Sequence, residues 1–180
     1  MKSVLMSINS LHNINIESGS KSSELRTRPP KLEPPFKVYT YESGALGRHK
    51  VVNEWICRDM ETWRMCMGIP AHLSKNACVS NEYIWKYSNN GYKDITEMKI
   101  SDLVIYDKPK ELNEFYRWTD YDDSKKDKRP CSYCEYSAFD YSENCEYCSI
   151  DYDGEHCVHL QMKRPPQSWC YVDERGDEGK

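Results

Sequence analysis

Three charged side chains follow a glycine at fixed spacing near the start of this 180-residue chain. The stretch "GSKSSELRTRPP" begins at Gly19 and places Lys21, Glu24 and Arg26 in the pattern G-x-K-x-x-E-x-R. A lysine beside a strand that carries Glu and Arg on one face can form a mixed-charge pocket, whose cations bind a phosphate or a base edge. The lysine and the glutamate could instead act as base and acid. The spacing by itself favours a third interpretation, a surface ladder of ion pairs, which contributes little stability.

A pair of C-x2-C motifs is the strongest chemical signal from spacing. The chain has nine cysteines, and four of them form two such motifs with ten residues between them: Cys131, Cys134, Cys145 and Cys148. This pattern suits a tetrahedral zinc site with four thiolate ligands, for which Cys157 and His159 are substitute ligands. Because every ligand comes from the protein, the predicted zinc is structural, and its binding supplies folding energy. The alternatives are free thiols in a disordered acidic loop, or disulfides formed on purification.

Basic and aromatic residues also alternate after the charged run. Arginine, lysine and tyrosine side chains in this strip could follow a phosphate backbone while bases stack on the rings: Arg28, Lys31, Lys37, Tyr39, Tyr41 and Arg48. The alternative is a solvated strand face whose tyrosines pack into a core. Trp169 could likewise stack on a base, but an anchor for the last strand is the favoured role. The isolated histidines His12, His49 and His72 receive no role, and small buried hydrophobic residues are the default for Cys57, Cys66, Cys78 and Cys170.

Composition and charge limit the classes of protein to which the chain can belong. The net charge of −4 argues against a broadly basic nucleic-acid coat. The charge is unevenly distributed, since residues 18–50 hold seven Lys or Arg and three Glu, whereas residues 119–160 hold eleven Asp or Glu and four Lys or Arg. No run approaches the ~18 apolar residues that a membrane-spanning helix needs. No signal-peptide pattern is present either, so we expect a soluble protein of the cytoplasm.

Strand and helix signals must position these side chains. Alternating, β-branched or aromatic residues predict six strands, over residues 2–8, 22–28, 35–43, 50–60, 98–109 and 164–174. A weak helix is predicted over "LHNINIES", capped by Asn9 or Ser10 and ended by Gly19, with three side chains facing inward: Leu11, Ile14 and Ile16. A second helix over "VSNEYIWKYSNNG" has Ser80 as its N-cap, Gly91 as its end, and a stripe of Tyr83, Ile84 and Tyr87. One or two helical turns are expected between residues 109 and 116.

These elements predict a small, mostly-β barrel of the α+β class with two or three short helices. The barrel is expected to occupy residues 1–118 and to regain its final strand at residues 164–174. An acidic insertion rich in Cys and Tyr, the predicted zinc knuckle, fills residues 119–163. Residues 175–180 form a loose tail.

The signature and four later blocks together resemble a known family. "PPFKVYTY", "KVVNEWICRDM", "KISDLVIYDKPKELNEFY" and "RPPQSWCYV" follow the G-x-K-x-x-E-x-R stretch in order. They are similar to the ordered blocks of ASCH-domain proteins, a branch of the PUA-like superfamily, and in particular to those carried by phages and prophages of Firmicutes. The resemblance covers roughly residues 2–118 and 164–174. Two positions depart from the family: Glu24 stands where an amidohydrolase branch has a threonine, and Asn53 stands where a glycine is common.

The resemblance implies a barrel whose cleft, lined by the signature, binds RNA or a nucleotide. It thereby favours ligand-binding roles for Lys21, Glu24 and Arg26, and the sequence adds Arg28, Lys37 and Trp169 as further candidates. A hydrolase of a modified nucleoside or of RNA is the second hypothesis, with Lys21 as base and Glu24 in support, although Glu24 displaces a threonine nucleophile. A third is a phage counter-defence protein whose acidic segment binds a host partner.

Overall fold

A curled β-sheet is the main body of the computed structural model, which describes residues 3–118 and 159–174. Eight strands are present in these ranges: β1 Ser3–Asn9, β2 Ser23–Arg26, β3 Phe36–Ser43, β4 Val51–Trp63, β5 Ile95–Lys110, β6 Phe115–Trp118, β7 His159–Gln161 and β8 Trp169–Glu174. Three short α-helices accompany them: α1 Ser10–Glu17, α2 Ala71–Ala77 and α3 Asn81–Tyr87. Single 3-10 turns lie at Met65–Met67 and Leu112–Glu114. No helix in the described ranges is long and apolar enough to cross a membrane.

The strands lie in the order β2-β5-β4-β3-β1-β8-β6-β7, and every neighbouring pair except β1 and β3 is antiparallel. The sheet curls so that β2, at one edge, approaches β1 near the middle of the strand order. Arg26 of β2 donates a hydrogen bond across this gap to the Ser7 carbonyl of β1, at 3.1 Å. Next to it, the Trp169 indole N–H of β8 donates to the Arg28 carbonyl at 2.6 Å. The prediction of a small, mostly-β barrel of the α+β class with two or three short helices is therefore confirmed, and the number of helices is three.

The sheet is buried on both faces, which explains why β1 has a continuous apolar run from Val4 to Met6. Side chains alternate between faces along a strand, so Val4 and Met6 enter the barrel interior while Leu5 packs outside it. The interior core contains Val4, Met6, Ile8, Ile16, Phe36, Val38, Trp55, Cys57 and Met98. The outer core contains Leu5, Tyr39, Tyr41, Val51, Phe115, Met162, Cys170 and Val172. A third cluster packs α2 and α3 against β2 and β5, through Leu25, Met65, Leu73, Ala77, Ile84 and Ile95.

Helix α1 forms where the sequence predicts it, but it presents a different face to the barrel. Leu11 and Ile14, expected to be buried, are 66% and 57% exposed, and only Ile16 of the three is buried. The side chain that replaces them is Asn13, which is fully buried and donates to the carboxylate of Glu42 on β3 at 3.1 Å. A buried hydrogen-bonded amide therefore sets the rotation of this helix, and an apolar count cannot detect that.

The sequence signals for helix ends agree with the structure at Gly19 and Ser80. Gly19 adopts a left-handed φ of +74° directly after the Ser18 cap of α1. The Ser80 side chain accepts a hydrogen bond from the Tyr83 N–H at the start of α3. That helix ends at Tyr87, before the predicted Gly91. Helix α2 was not predicted, because its seven residues offer only a preceding proline and one apolar pair, Leu73 and Ala77.

The orientation of α1 gives a matched pair of substitutions. Ile16→Ala opens a cavity in the interior core and should lower the free energy of unfolding by about 2–4 kcal/mol. Ile14→Ala removes a mostly exposed side chain from the same helix and should change it by less than about 0.5 kcal/mol. Urea denaturation of both variants measures the difference. Equal losses would mean that α1 packs with the apolar face that the sequence pattern indicates.

Candidate functional site

Three side chains of the G-x-K-x-x-E-x-R stretch form one buried charge cluster, defined here as Lys21, Glu24 and Arg26. Lys21 Nζ lies 3.2 Å from one Glu24 carboxylate oxygen, and an Arg26 guanidinium nitrogen lies 2.7 Å from the other. The side chains of these three residues are 3%, 7% and 12% exposed, respectively. The stretch is therefore not the surface ladder of ion pairs that its spacing alone favours.

Backbone carbonyls of two other elements complete the charge cluster. Lys21 Nζ donates to the Ala77 carbonyl at the end of α2, at 2.9 Å. Arg26 donates to Ser7 of β1, as the closure of the barrel requires. The Arg26 Nε atom is also buried, yet it has no hydrogen-bond partner in the described residues. Buried charges are tolerated only when they are paired, and the pairs and hydrogen bonds of the charge cluster join β1, β2 and α2.

The protonation state of Glu24 follows from its two partners. Burial on its own would raise the pKa of this carboxyl group, but the charges of Arg26 and Lys21 and a hydrogen bond from Lys21 lower it below its ordinary value. Glu24 is therefore ionised at neutral pH. The charge cluster then has two cations and one anion, a net charge of +1.

Two aromatic side chains beside the charge cluster form what we call the rim, His12 of α1 and Tyr83 of α3. Their rings meet edge to face with centroids 5.7 Å apart. Burial lowers the pKa of His12, and the charges of Lys21 and Arg26 lower it further, so its imidazole is neutral at neutral pH. Burial raises the pKa of Tyr83, as do Tyr87 and Glu24. Sequence reasoning gave His12 no role, although its spacing of four residues from the buried Ile16 indicates an inward position.

The remaining predicted ligand residues do not join the charge cluster. Arg28 is exposed just beyond β2, and its carbonyl holds the indole of Trp169. Trp169 packs against the interior core and edge to face with Tyr171, which is the role of an anchor. Lys37 alternates onto the outer face of the sheet, where it pairs with Glu54 at 2.8 Å.

The predicted basic and aromatic strip on β3 is not a stacking surface. Tyr39 and Tyr41 are 4% and 6% exposed and belong to the outer core. Their rings are consequently inaccessible to a base; they pack into a core, as the alternative expects, but on the outer face of the sheet rather than inside the barrel. Arg48 is also engaged, through the carboxylates of Glu42 and Glu17.

A buried polar network under α1 accounts for the asparagine at position 53. The Asn53 side-chain amide donates to the Asn13 side-chain oxygen at 2.8 Å, and Asn13 in turn donates to Glu17 and Glu42. Burial alone would raise the pKa of Glu42, but hydrogen bonds from Arg48 and Asn13 lower it. A glycine at position 53 could not support this network, so Asn53 has a structural role under α1.

A second buried carboxylate lies on the opposite face of β2 and β5. Glu97 is fully buried and is bound by Lys99 at 2.8 Å and by the Asn76 amide of α2 at 3.0 Å, while His72 Nε2 lies 3.3 Å away. Burial would raise its pKa, but the hydrogen bonds from Lys99 and Asn76 hold that pKa below its ordinary value. Glu24 and Glu97 are thus separate sites on two sides of one strand pair.

Among the described cysteines, two behave as predicted. Cys57 and Cys170 are buried, and burial raises the pKa of Cys57 to about 12, so this thiol is unreactive. Cys66 is exposed and Cys78 is half-buried, against the expectation of burial. The predicted zinc ligands Cys131, Cys134, Cys145, Cys148 and Cys157 lie outside the described residues, and of His159 only the backbone is described. Among the described residues no group of three potential ligands could hold a metal ion.

The comparisons with known proteins identify the fold. No protein-family model and no curated protein matches the sequence. Solved structures do match: the crystal structure of an ASCH protein from Zymomonas mobilis, at 18% identity and a TM-score of 0.53, covers 62% of this chain and 74% of its own. Two single-residue variants of that protein match at 17% identity with TM-scores of 0.54 and 0.53, over 62% of this chain and 77% and 75% of theirs. The chain therefore shares the fold of these ASCH proteins.

The buried carboxylate makes stability depend on pH in a defined direction. Because the folded-state pKa of Glu24 is lowered, its stabilising contribution is complete above about pH 4.3, the unfolded value, and is lost as the pH falls through the folded value. Glu24→Gln should lower the free energy of unfolding by about 3–5 kcal/mol at pH 7, and the difference from wild type should shrink below about pH 4. Urea denaturation across this pH range measures the free energy of unfolding of both proteins.

Glu82→Gln, in the exposed pair with Lys86, is the control and should change the free energy of unfolding by less than about 0.5 kcal/mol. A difference for Glu24→Gln that does not change with pH would contradict the assignment.

Proposed function

We propose that the chain binds RNA or a nucleotide-like ligand at the charge cluster. The observation that supports this most directly is the burial of two cations, Lys21 and Arg26, around a single ionised carboxylate. A net positive charge in a sheltered position attracts an anion more strongly than the same charge in water. The likeness in fold to the ASCH protein of Zymomonas mobilis supports the proposal, because the sequence resemblance to ASCH-domain proteins implies such ligands.

The donors of the charge cluster suit phosphate or carbonyl oxygens. Arg26 Nε has no hydrogen-bond partner among the described residues, and an ammonium group has three N–H donors, of which the Glu24 carboxylate and the Ala77 carbonyl take two at Lys21. Charge-assisted hydrogen bonds from such donors are the usual means of holding phosphate groups. Glu24 then has a positioning role, because it fixes both cations before the ligand arrives.

A hydrolase of a modified nucleoside or of RNA is the second candidate. The neutral imidazole of His12 beside Lys21 favours it, since a neutral imidazole can accept a proton at neutral pH. Against it, both carboxylate oxygens of Glu24 already contact cations, which leaves the carboxylate poorly placed to exchange protons. Product formation from a panel of modified nucleosides and RNAs, abolished by Lys21→Met in a folded protein, would establish catalysis.

Binding at the charge cluster can be tested with a matched lysine pair. Lys21→Met removes the ammonium but leaves Glu24 paired with Arg26, and it should weaken binding of a fluorescein-labelled single-stranded RNA of about twelve nucleotides by roughly 10- to 100-fold. Its affinity should also depend less on salt, with a log–log slope smaller by about 0.7. Lys99→Met removes the lysine that pairs with Glu97 on the other face of β5, and should bind like wild type.

Fluorescence anisotropy measures these affinities, and circular dichroism confirms that each variant is folded. Nucleoside monophosphates are tested by competition in the same assay. The proposal fails if wild-type protein binds neither RNA nor nucleotides, or if Lys21→Met and Lys99→Met bind equally well.

We also propose that the two C-x2-C motifs bind a structural zinc. Their spacing supports this, and so does the scarcity of aliphatic residues in the segment that contains them. The sequence supports two further proposals. One is that the chain is of the phage-borne type of ASCH protein, and the other is that its acidic segment binds a host partner.

Zinc binding gives its own prediction. Wild-type protein purified without chelators should contain about one zinc ion per chain by mass spectrometry of metals, because four thiolates complete a tetrahedral site. The double variant Cys131→Ser, Cys134→Ser should lose it, whereas Cys66→Ser, which removes an exposed thiol, should retain it. Wild-type protein that contains no zinc and takes none up on titration would exclude the site.

A further inference from the structure

We propose that Tyr83 is a stacking platform for one unpaired base and that His12 contacts the edge of that base. The ligand would then be single-stranded nucleic acid or a free nucleotide rather than a duplex. This inference rests on the proposed function of the charge cluster, and it adds the class of ligand and the two residues that select it.

The Tyr83 ring is held in place although it is not buried. It is 45% exposed, the His12 ring meets its edge, and the Tyr87 ring lies nearly parallel to it, at 18° and 6.0 Å between centroids. Its backbone N–H is capped by the Ser80 hydroxyl at 3.1 Å, and the next residue, Ile84, is fully buried. A ring fixed in this way loses little freedom when a base stacks on it, and such pre-organisation favours binding.

His12 supplies the hydrogen-bonding groups that a base edge needs. It is half-buried at the inner side of the rim, and burial together with Lys21 and Arg26 keeps its imidazole neutral. A neutral imidazole has one donor and one acceptor, whereas the doubly protonated form has two donors only. The neutral form can therefore match the mixed donors and acceptors of a base edge.

The charges of the cluster act on both residues of the rim, since, besides burial, Lys21 and Arg26 lower the pKa of His12 and Glu24 raises that of Tyr83. Lys21 contacts the end of α2 at Ala77, and α3, which carries Tyr83, begins shortly afterwards at Asn81. On the other side, the Lys21 backbone N–H donates to the Asn15 carbonyl of α1, the helix that carries His12. Helices α1 and α2 thus contact Lys21, and α1 and the neighbouring α3 carry the rim, so a phosphate or sugar at the charge cluster would leave its base beside Tyr83.

The geometry favours an unpaired base because stacking requires a free base face. In a duplex both faces of each base are covered by its neighbours, so an aromatic side chain can stack only on bases that are splayed out. Two other exposed aromatic residues have surroundings different from those of Tyr83. The Trp85 ring lies against Gly91, and a Cβ added at position 91 would be 2.8 Å from it. Tyr92 is 87% exposed.

The test compares three tyrosine variants with the fluorescein-labelled single-stranded RNA used above. Tyr83→Ala should weaken binding on the order of tenfold, the usual effect of losing one base–aromatic stack. Tyr83→Phe retains the ring and should bind within about twofold of wild type, because stacking does not need the hydroxyl group. Tyr92→Ala removes a more exposed tyrosine and should leave binding unchanged. The same RNA annealed to its complement should bind at least about tenfold more weakly to wild type.

The outcomes separate this inference from the proposed function. If Lys21→Met loses affinity while Tyr83→Ala binds like wild type, the charge cluster binds the ligand and the stacking role is wrong. Duplex binding as tight as that of the single strand also overturns the inference and leaves the proposed function intact. If wild type binds no RNA and no nucleotide, both are wrong. Circular dichroism spectra and thermal melts of the variants show whether any loss reflects unfolding.

Discussion

The structure depends on one carboxylate, Glu24, which is buried, ionised and neutralised by a cation at each oxygen. Through Lys21 it is connected to the end of α2, and through Arg26 to the backbone of β1. The curled sheet is closed at this point, so the residues that shape the candidate site also hold the barrel together. Removing one partner would leave an uncompensated charge in the interior, which is far more costly than removing an exposed ion pair. The three side chains are consequently a structural unit as well as the proposed binding site.

The β2 and β5 strand pair has a second buried carboxylate, Glu97, whose surroundings differ from those of Glu24. Glu97 is as deeply buried as Glu24 and is also bound by a lysine, yet the groups around it are Asn76 and His72 of α2. Glu24 instead has two cations and lies beside the aromatic rim of His12 and Tyr83. Glu97 therefore fastens a helix to the sheet, whereas Glu24 fixes two cations beside the rim, where we propose that a ligand binds.

Sequence reasoning predicted much of the fold because its signals were local. Alternation and β-branched residues predicted six of the eight strands in the described ranges, all but β6 and β7, and Gly19 and Ser80 marked the end of α1 and the start of α3 correctly. The charge triad was also found, since alternation places Glu24 and Arg26 on one face. Its burial was not, because burial depends on α2 and on β1, which are distant in sequence. The same reason explains the wrong face of α1 and the omission of His12: Asn13 and Asn53 are 40 residues apart, and no local pattern shows that they hydrogen-bond.

The pairing of β6 with β7 has a consequence for how such a chain can diversify. Trp118 at the end of β6 is opposite His159 at the start of β7, so the chain leaves the sheet and returns to it at adjacent backbone positions. The free energy of closing a loop between two such points grows only slowly with its length. This junction is therefore an insertion point. Segments of different length and chemistry, the acidic cysteine-rich one included, can be exchanged there without altering the strand register of the barrel or the position of Glu24.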